Sequence, residues 1–174
     1  SGGIFDPNGI DIDAAADWTR SGQLLKDFAP DKTITNEQLF ELDVDILVPA
    51  AIDGVITKEN AGKVKAKIIA EGANGPLTTE AVDICTANGS FIIPDILCNA
   101  GGVIVSYFEW VQGLQNFFWD LDQINSKLYS ILKTAFDEVI DCHENYNVDM
   151  KRAAFIAALK RLATAMRMRG LFPA

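Results

Sequence analysis

Phe91-Ile92-Ile93-Pro94-Asp95-Ile96-Leu97-Cys98-Asn99-Ala100-Gly101-Gly102-Val103-Ile104-Val105-Ser106-Tyr107-Phe108-Glu109-Trp110 changes character partway along. Phe91 to Ile93 is a short apolar run behind Gly89, the pattern of a buried strand. From Asn99 the pattern is helical and continues to about Phe118, giving a strand, a short loop and a helix whose first turn carries Asn99, Gly101 and Gly102. Small residues there let a ligand come close to the backbone, and the free N–H groups of a helix start favour anions and carbonyl oxygens. Asn99, Val103 and Ser106 stand at i, i+4 and i+7, so a helix places an amide, an apolar side chain and a hydroxyl on one stripe. Taken locally, these residues suit a structural role equally well. Asn99 can be an N-cap, the glycines can serve close packing, and Ser106 can bond back to its own helix.

The same pattern recurs upstream. Asp45-Ile46-Leu47-Val48 reads as a strand that stops at Pro49 and leads into Ala50-Ala51-Ile52-Asp53-Gly54. A short helix is expected from about Thr57 to Gly62. Lys67-Ile68-Ile69-Ala70 is the next strand, followed by Glu71-Gly72-Ala73-Asn74-Gly75-Pro76. Thr78 or Thr79 then caps a helix that ends by Gly89, a natural C′ residue. Strands alternating with helices imply a parallel sheet with right-handed crossovers. The loops Ala50-Ala51, Gly72 to Gly75 and Asn99 to Gly102 then share one edge, beyond the carboxyl ends of the strands, where open α/β sheets bind ligands. Three loops of small and amide residues on that edge favour a ligand site over the structural role.

Farther out, Ser1 to Gly9 reads as a loop, and Asp11 or Asp13 caps a helix through Arg20. Lys32 to Ile34 is a short strand, and Thr35 with Gln38 forms a capping-box pattern for a helix to about Leu42. After the sheet, Asp120 or Asp122 starts a helix to about Tyr146, and Asp149 starts another to about Gly170. Their apolar stripes (Ile124, Leu128, Ile131, Leu132, Ala135, Phe136, Val139; and Ile156, Leu159, Leu162, Ala163, Met166) have the spacing of core. No G-x-G-x-x-G follows a strand, and Ser1 onward resembles the exit from one. The expected fold is therefore α/β: the second half of a doubly wound (Rossmann-like) parallel sheet followed by long C-terminal helices. On this view residues 1–174 are a partial domain without its first βαβ unit.

The chain has 174 residues and a formal net charge of -9, which argues against nucleic acid or an anionic membrane as partner. The basic residues near the end (Lys151, Arg152, Lys160, Arg161, Arg167, Arg169) fit a solvated helix face with cations toward its C-terminus. Three widely spaced cysteines, Cys85, Cys98 and Cys142, point to reduced thiols and a cytoplasmic location. Cys142 and His143 are neighbours, which a helix turns about 100° apart, so they do not make a catalytic pair. No cluster has metal-ligand spacing. No apolar run nears the roughly 20 residues of a membrane span, and the first residues do not read as a signal peptide.

Three runs carry a resemblance: Asp43-Val44-Asp45-Ile46-Leu47-Val48-Pro49-Ala50-Ala51, Lys67-Ile68-Ile69-Ala70-Glu71-Gly72-Ala73-Asn74-Gly75-Pro76, and Pro94-Asp95-Ile96-Leu97-Cys98-Asn99-Ala100-Gly101-Gly102-Val103. In order and over nearly the whole chain they resemble the cofactor domain of the glutamate/leucine/phenylalanine/valine dehydrogenase family. Gly2 to Asp11, Tyr146 to Met150 and Met166 to Gly170 fit as well. Val105-Ser106-Tyr107-Phe108-Glu109-Trp110 is similar to the family's glutamate branch. The resemblance implies oxidative deamination of L-glutamate to 2-oxoglutarate and ammonia with NAD or NADP, in a homo-oligomer that is hexameric in full-length members. It implies cofactor contacts at Ala50, Ala51, Gly72, Asn74 and Asn99, with the two asparagines holding the nicotinamide and its ribose. It also implies that Val103 lines the substrate pocket and that Ser106 binds the substrate's side-chain carboxylate. The family's catalytic lysine and aspartate, its glycine-rich turn and its adenine-ribose acid are expected upstream of Ser1. No residue here is therefore assigned as catalytic, and the chain alone is expected to be inactive. The alternative is a non-catalytic nucleotide-binding or assembly module derived from such an enzyme.

Overall fold

A computed structural model describes residues 2–170. Its centre is a three-stranded parallel sheet in the order β3-β4-β5, made of β3 (Ile46–Leu47), β4 (Ile68–Ala70) and β5 (Phe91–Ile93). Ile46 pairs with Ile68 and Ile68 with Phe91; Leu47 pairs with Ile69 and Ile69 with Ile92. Side chains alternate across a strand, so Leu47, Ile69 and Ile92 share one face. That face is the main core, where α3 (Thr79–Ala87) packs through Ala81, Val82 and Cys85. The fully buried Ile56 and the buried Leu77 form an isolated parallel bridge that clips two loops onto this core.

The opposite face is covered only beneath β5. There Phe91 and Ile93 pack with Leu97, with Val139 and Cys142 of α6 (Leu121–Tyr146), and with Met150, Ala153 and Ala154 of α7 (Met150–Arg169). Ile46 and Val48 stay exposed at the other side of the sheet. Between the sheet and α6 lie a single turn, α4 (Asp95–Cys98), and α5 (Gly101–Gln115). At the corner after α5 the buried Gln112 accepts the Trp119 N–H at 2.6 Å, and the Phe108 and Trp119 rings meet edge-on at 5.5 Å.

The helix starts follow their capping residues. Asp11 caps α1 (Ile12–Arg20), Thr35 caps α2 (Asn36–Phe40) in a full capping box with Gln38, and Thr78 caps α3. Asp120 caps α6, again in a capping box, and Asp149 caps α7. Gly89 takes φ +92° past the end of α3, a left-handed conformation suited to glycine.

Several sequence expectations are corrected. Gly3–Ile4 is not loop but β1, because it pairs antiparallel with β2 (Thr33–Ile34). Thr57 to Gly62 is not a helix. Asn60 accepts the Thr57 N–H at 2.7 Å and donates to Val55 O at 2.9 Å, which closes a turn and leaves only a single 3₁₀ turn at Ala61–Lys63. The α6 and α7 stripes are core only in part. Val139 is buried, but Ile131, Leu159, Leu162, Ala163 and Met166 are exposed. What fails is coverage, since α7 outruns the sheet and only its first turns reach β5. Lys151 is likewise not a freely solvated cation, since it pairs with a buried carboxylate.

This division predicts unequal costs. Ile69→Ala should cost about 2–5 kcal/mol of unfolding free energy, as for a fully buried aliphatic residue. Leu159→Ala and Met166→Ala should change it by about 0.5 kcal/mol or less. Urea unfolding of the three variants checks this, and a Leu159→Ala cost comparable with that of Ile69→Ala would contradict it.

Candidate functional site

The three strand exits meet at one edge of the sheet. Ala73 N–H donates to Pro49 O at 2.9 Å and Gly54 N–H to Gly75 O at 2.9 Å, which zips the loop after β3 to the loop after β4. The β5 exit joins them through Asn99, whose Nδ2 donates to Gly72 O at 3.3 Å and to Asn74 Oδ1 at 2.7 Å. The result is an open groove lined by Ala51, Ile52, Asp53, Gly72, Ala73, Asn74 and Asn99. Ala50 abuts it from behind: a Cβ at Gly72 would lie 3.0 Å from the Ala50 Cβ and 3.4 Å from Val48 Cγ1. That close approach leaves little room for a side chain at Gly72.

The amide polarity in this groove is determined. A backbone carbonyl only accepts, so Asn99 must turn its NH₂ toward Gly72 O, and Asn74 must then present its oxygen to the second N–H. Both Asn99 donors are used. Asn99 Oδ1 and the Asn74 NH₂ are left without protein partners among the described residues. The pair therefore offers a ligand an acceptor and donors side by side. Asp53 is the only charged residue in the lining. With no cation there, the groove suits an uncharged or cationic group rather than a phosphate.

Asn99 is not a helix N-cap. Ala100 takes that position for α5 with no side-chain cap bond, while Asn99 ends α4, its N–H bonded to Asp95 O at 2.9 Å. Its side chain is thereby free to reach across to β4. The glycines of the α5 start are not packing glycines either, since a Cβ at Gly101 or Gly102 would meet no atom within 4 Å. Val103 and Ser106 do not line the groove. They stand one turn apart on an exposed face of α5, both open to solvent. The Thr134 and Thr164 hydroxyls bond back to the carbonyl four residues earlier; among the described residues Ser106 makes no such bond.

Three residues that sequence reasoning did not single out hold the groove together. Glu71 is 0% exposed. Its N–H bonds Ile93 O at 3.1 Å, and its Oε2 accepts the Asp95 N–H at 2.9 Å and lies 3.3 Å from Lys151 Nζ. Asp95 Oδ2 in turn accepts the Gly75 N–H at 2.8 Å. Glu71 directly follows the apolar β4, and its bond to Ile93 O extends the strand pairing by one residue. Its partner Lys151 lies 80 positions away, with nothing local to mark it.

Next to Asn99, Cys98 is only partly buried, and burial together with the Glu71 charge pushes its thiol up. It stays protonated near neutral pH and is no nucleophile here. Cys142 is buried in the core, and His143 Nδ1 is bonded to Val148 O. Among the described residues no group of three or more His, Cys, Asp or Glu could hold a metal ion, and no helix is long and apolar enough to cross a membrane.

Comparison with known proteins bears on the family and the fold. The sequence model of the Glutamate/Leucine/Phenylalanine/Valine dehydrogenase family matches residues 1–170. The chain is 51% identical over 172 residues to a glutamate dehydrogenase of Thermotoga maritima, covering 99% of this chain and 41% of that protein. It is 49% identical over 170 residues to an NAD-specific glutamate dehydrogenase of Staphylococcus aureus, covering 97% of this chain and 41% of that protein. Among solved structures, a hetero-hexameric glutamate dehydrogenase from Thermus thermophilus in a leucine-bound form superposes with a TM-score of 0.87 at 31% identity, over 99% of this chain and 41% of that one. The chain thus spans about 41% of the length of the relatives it matches. A family match that runs from residue 1 to residue 170 places the chain in the glutamate/leucine/phenylalanine/valine dehydrogenase family.

Proposed function

We propose that this chain forms the nicotinamide end of the cofactor site, and one wall of the substrate pocket, in an enzyme that oxidatively deaminates L-glutamate to 2-oxoglutarate and ammonia. The cofactor is NAD or NADP. The observation that carries this is the Asn74–Asn99 amide pair, with its polarity fixed by Gly72 O at the carboxyl ends of parallel strands. A carboxamide has one acceptor and one donor group, which complements the free Asn74 NH₂ and Asn99 Oδ1. The small residues Ala51, Gly72 and Ala73 leave room for a flat ring or a ribose, and Asp53 is compatible with a cationic ring. Bound there, the nicotinamide would supply hydride transfer. The residues of this chain bind and orient it, and orientation alone contributes several kcal/mol of barrier lowering.

On α5, Ser106 reads the distal carboxylate of glutamate, and Val103 lines the pocket. Both stand on one exposed face, and the Ser106 hydroxyl is not engaged with its own helix among the described residues. Residues 1–174 are, on this proposal, the second half of the dinucleotide-binding domain. The 174-residue chain by itself turns over no glutamate, because none of its residues matches the family's catalytic lysine and aspartate. The complete protein is a cytoplasmic oligomer, a proposal supported by the hexameric assembly of the Thermus relative.

Two substitutions in the complete enzyme test this. Asn99→Ala removes two donors and a ligand acceptor and should weaken NADH binding by about ten-fold, since each neutral hydrogen bond contributes roughly 1 kcal/mol. Asn99→Asp should be at least as damaging, because its charge would face the Gly72 carbonyl and Asn74 Oδ1. Fluorescence titration reads both, and unchanged affinity would remove Asn99 from the cofactor site. Ser106→Ala should weaken glutamate and 2-oxoglutarate by about ten-fold or more while leaving the cofactor alone, as hydrogen bonds to charged groups contribute roughly 1.5–3 kcal/mol. Selectivity should move toward norvaline. An unchanged kcat/KM ratio between glutamate and norvaline would take Ser106 out of the pocket.

A further inference from the structure

We propose that Lys151, acting through Glu71 and Asp95, is a positioning residue for the Asn74–Asn99 amide pair. This rests on the cofactor assignment of that pair given above. None of the three lines the groove, yet they connect its two asparagines to α7. Lys151 Nζ holds the Glu71 carboxylate at 3.3 Å, and Glu71 Oε2 accepts the Asp95 N–H at 2.9 Å. Asp95 then fixes both asparagines. Its side chain accepts the N–H of Gly75, next to Asn74, and its carbonyl accepts the N–H of Asn99.

Two features mark Lys151 as placed for this purpose. It sits in the first turn of α7, where the helix dipole disfavours a cation. Its neighbour Arg152 does what a cation usually does there, pairing with the capping Asp149 and with Asp83 at the surface. Glu71 offers the compensating reason. A carboxylate with no exposed surface requires a cation and hydrogen-bond donors, and Lys151 is the cation that meets it. Without Lys151 the Glu71 carboxylate loses the cation that holds it in place, and its grip on the Asp95 N–H loosens.

Amide exchange measured by NMR on the 174-residue chain tests this, with Lys151→Met, Lys151→Arg and Lys151→Gln. Lys151→Met should speed exchange at the Gly75 N–H by about ten-fold or more and shift the Asn99 side-chain amide signals. The Val82 N–H, bonded to Thr78 O in α3, should hold its protection. Lys151→Arg should restore the wild-type pattern. Lys151→Gln keeps a neutral donor, guards against a variant that fails to fold, and should show the same selective loss to a smaller degree. Unmoved Gly75 and Asn99 signals, or Gly75 and Val82 losing protection together, would overturn the proposal. In the complete enzyme Lys151→Met should raise the cofactor KM several-fold and leave the 2-oxoglutarate KM alone. Selective exchange with an unmoved cofactor KM would instead remove the amide pair from the cofactor site, while the positioning role would stand.

Discussion

The groove depends on one buried carboxylate. Glu71 directly follows β4 and has no contact with solvent. From there it reaches the β5 exit through Asp95 and α7 through Lys151. A buried ion pair is weak evidence for net stability, because desolvation offsets the Coulomb attraction. What it supplies is geometry. Removing one partner strands a charge in a low-dielectric setting, so the elements that carry the two partners are held in register. Here those elements are the two strand exits that bear the asparagines and the helix that covers the second face of the sheet.

From that anchor the groove acquires its chemistry with very few polar atoms. Gly72 O sets the direction of the Asn99 amide, Asn99 sets Asn74, and the remaining donors and acceptor face outward. The lining is otherwise small or apolar, with Asp53 as its one charge. On the proposed function the groove's task is to hold one face of a flat, amide-bearing group above the strand ends, as a nicotinamide site has to. The exposed face of α5, with Val103 and Ser106, stands outside this groove, so the cofactor and substrate roles proposed for the chain fall on different elements.

Much of this was legible in the sequence, for identifiable reasons. The strands were readable because Ile46-Leu47, Ile68-Ile69 and Phe91-Ile92-Ile93 are short apolar runs, and the helix starts were readable to within two residues because each expected cap, or pair of alternatives, includes the residue that caps: Asp11, Thr35, Thr78, Asp120 and Asp149. The shared edge followed from parallel topology alone. The errors came from tertiary context. Leu159, Leu162 and Met166 have core spacing, but spacing does not say whether anything lies opposite. Asn99 has an N-cap's chemistry, but a single turn of α4 comes first and moves the cap to Ala100. The Glu71–Lys151 pair was invisible because its partners are 80 residues apart and meet only after the sheet and α7 have assembled.

The most direct measurement is a crystal structure of the complete enzyme with NADH bound. It should place the nicotinamide carboxamide within hydrogen-bond distance of Asn74 Nδ2 and Asn99 Oδ1, with Asn99 Nδ2 still on Gly72 O and Glu71 still joined to Asp95 and Lys151. A nicotinamide seated away from both asparagines, or an Asn99 amide rotated off Gly72 O to meet it, would contradict the account.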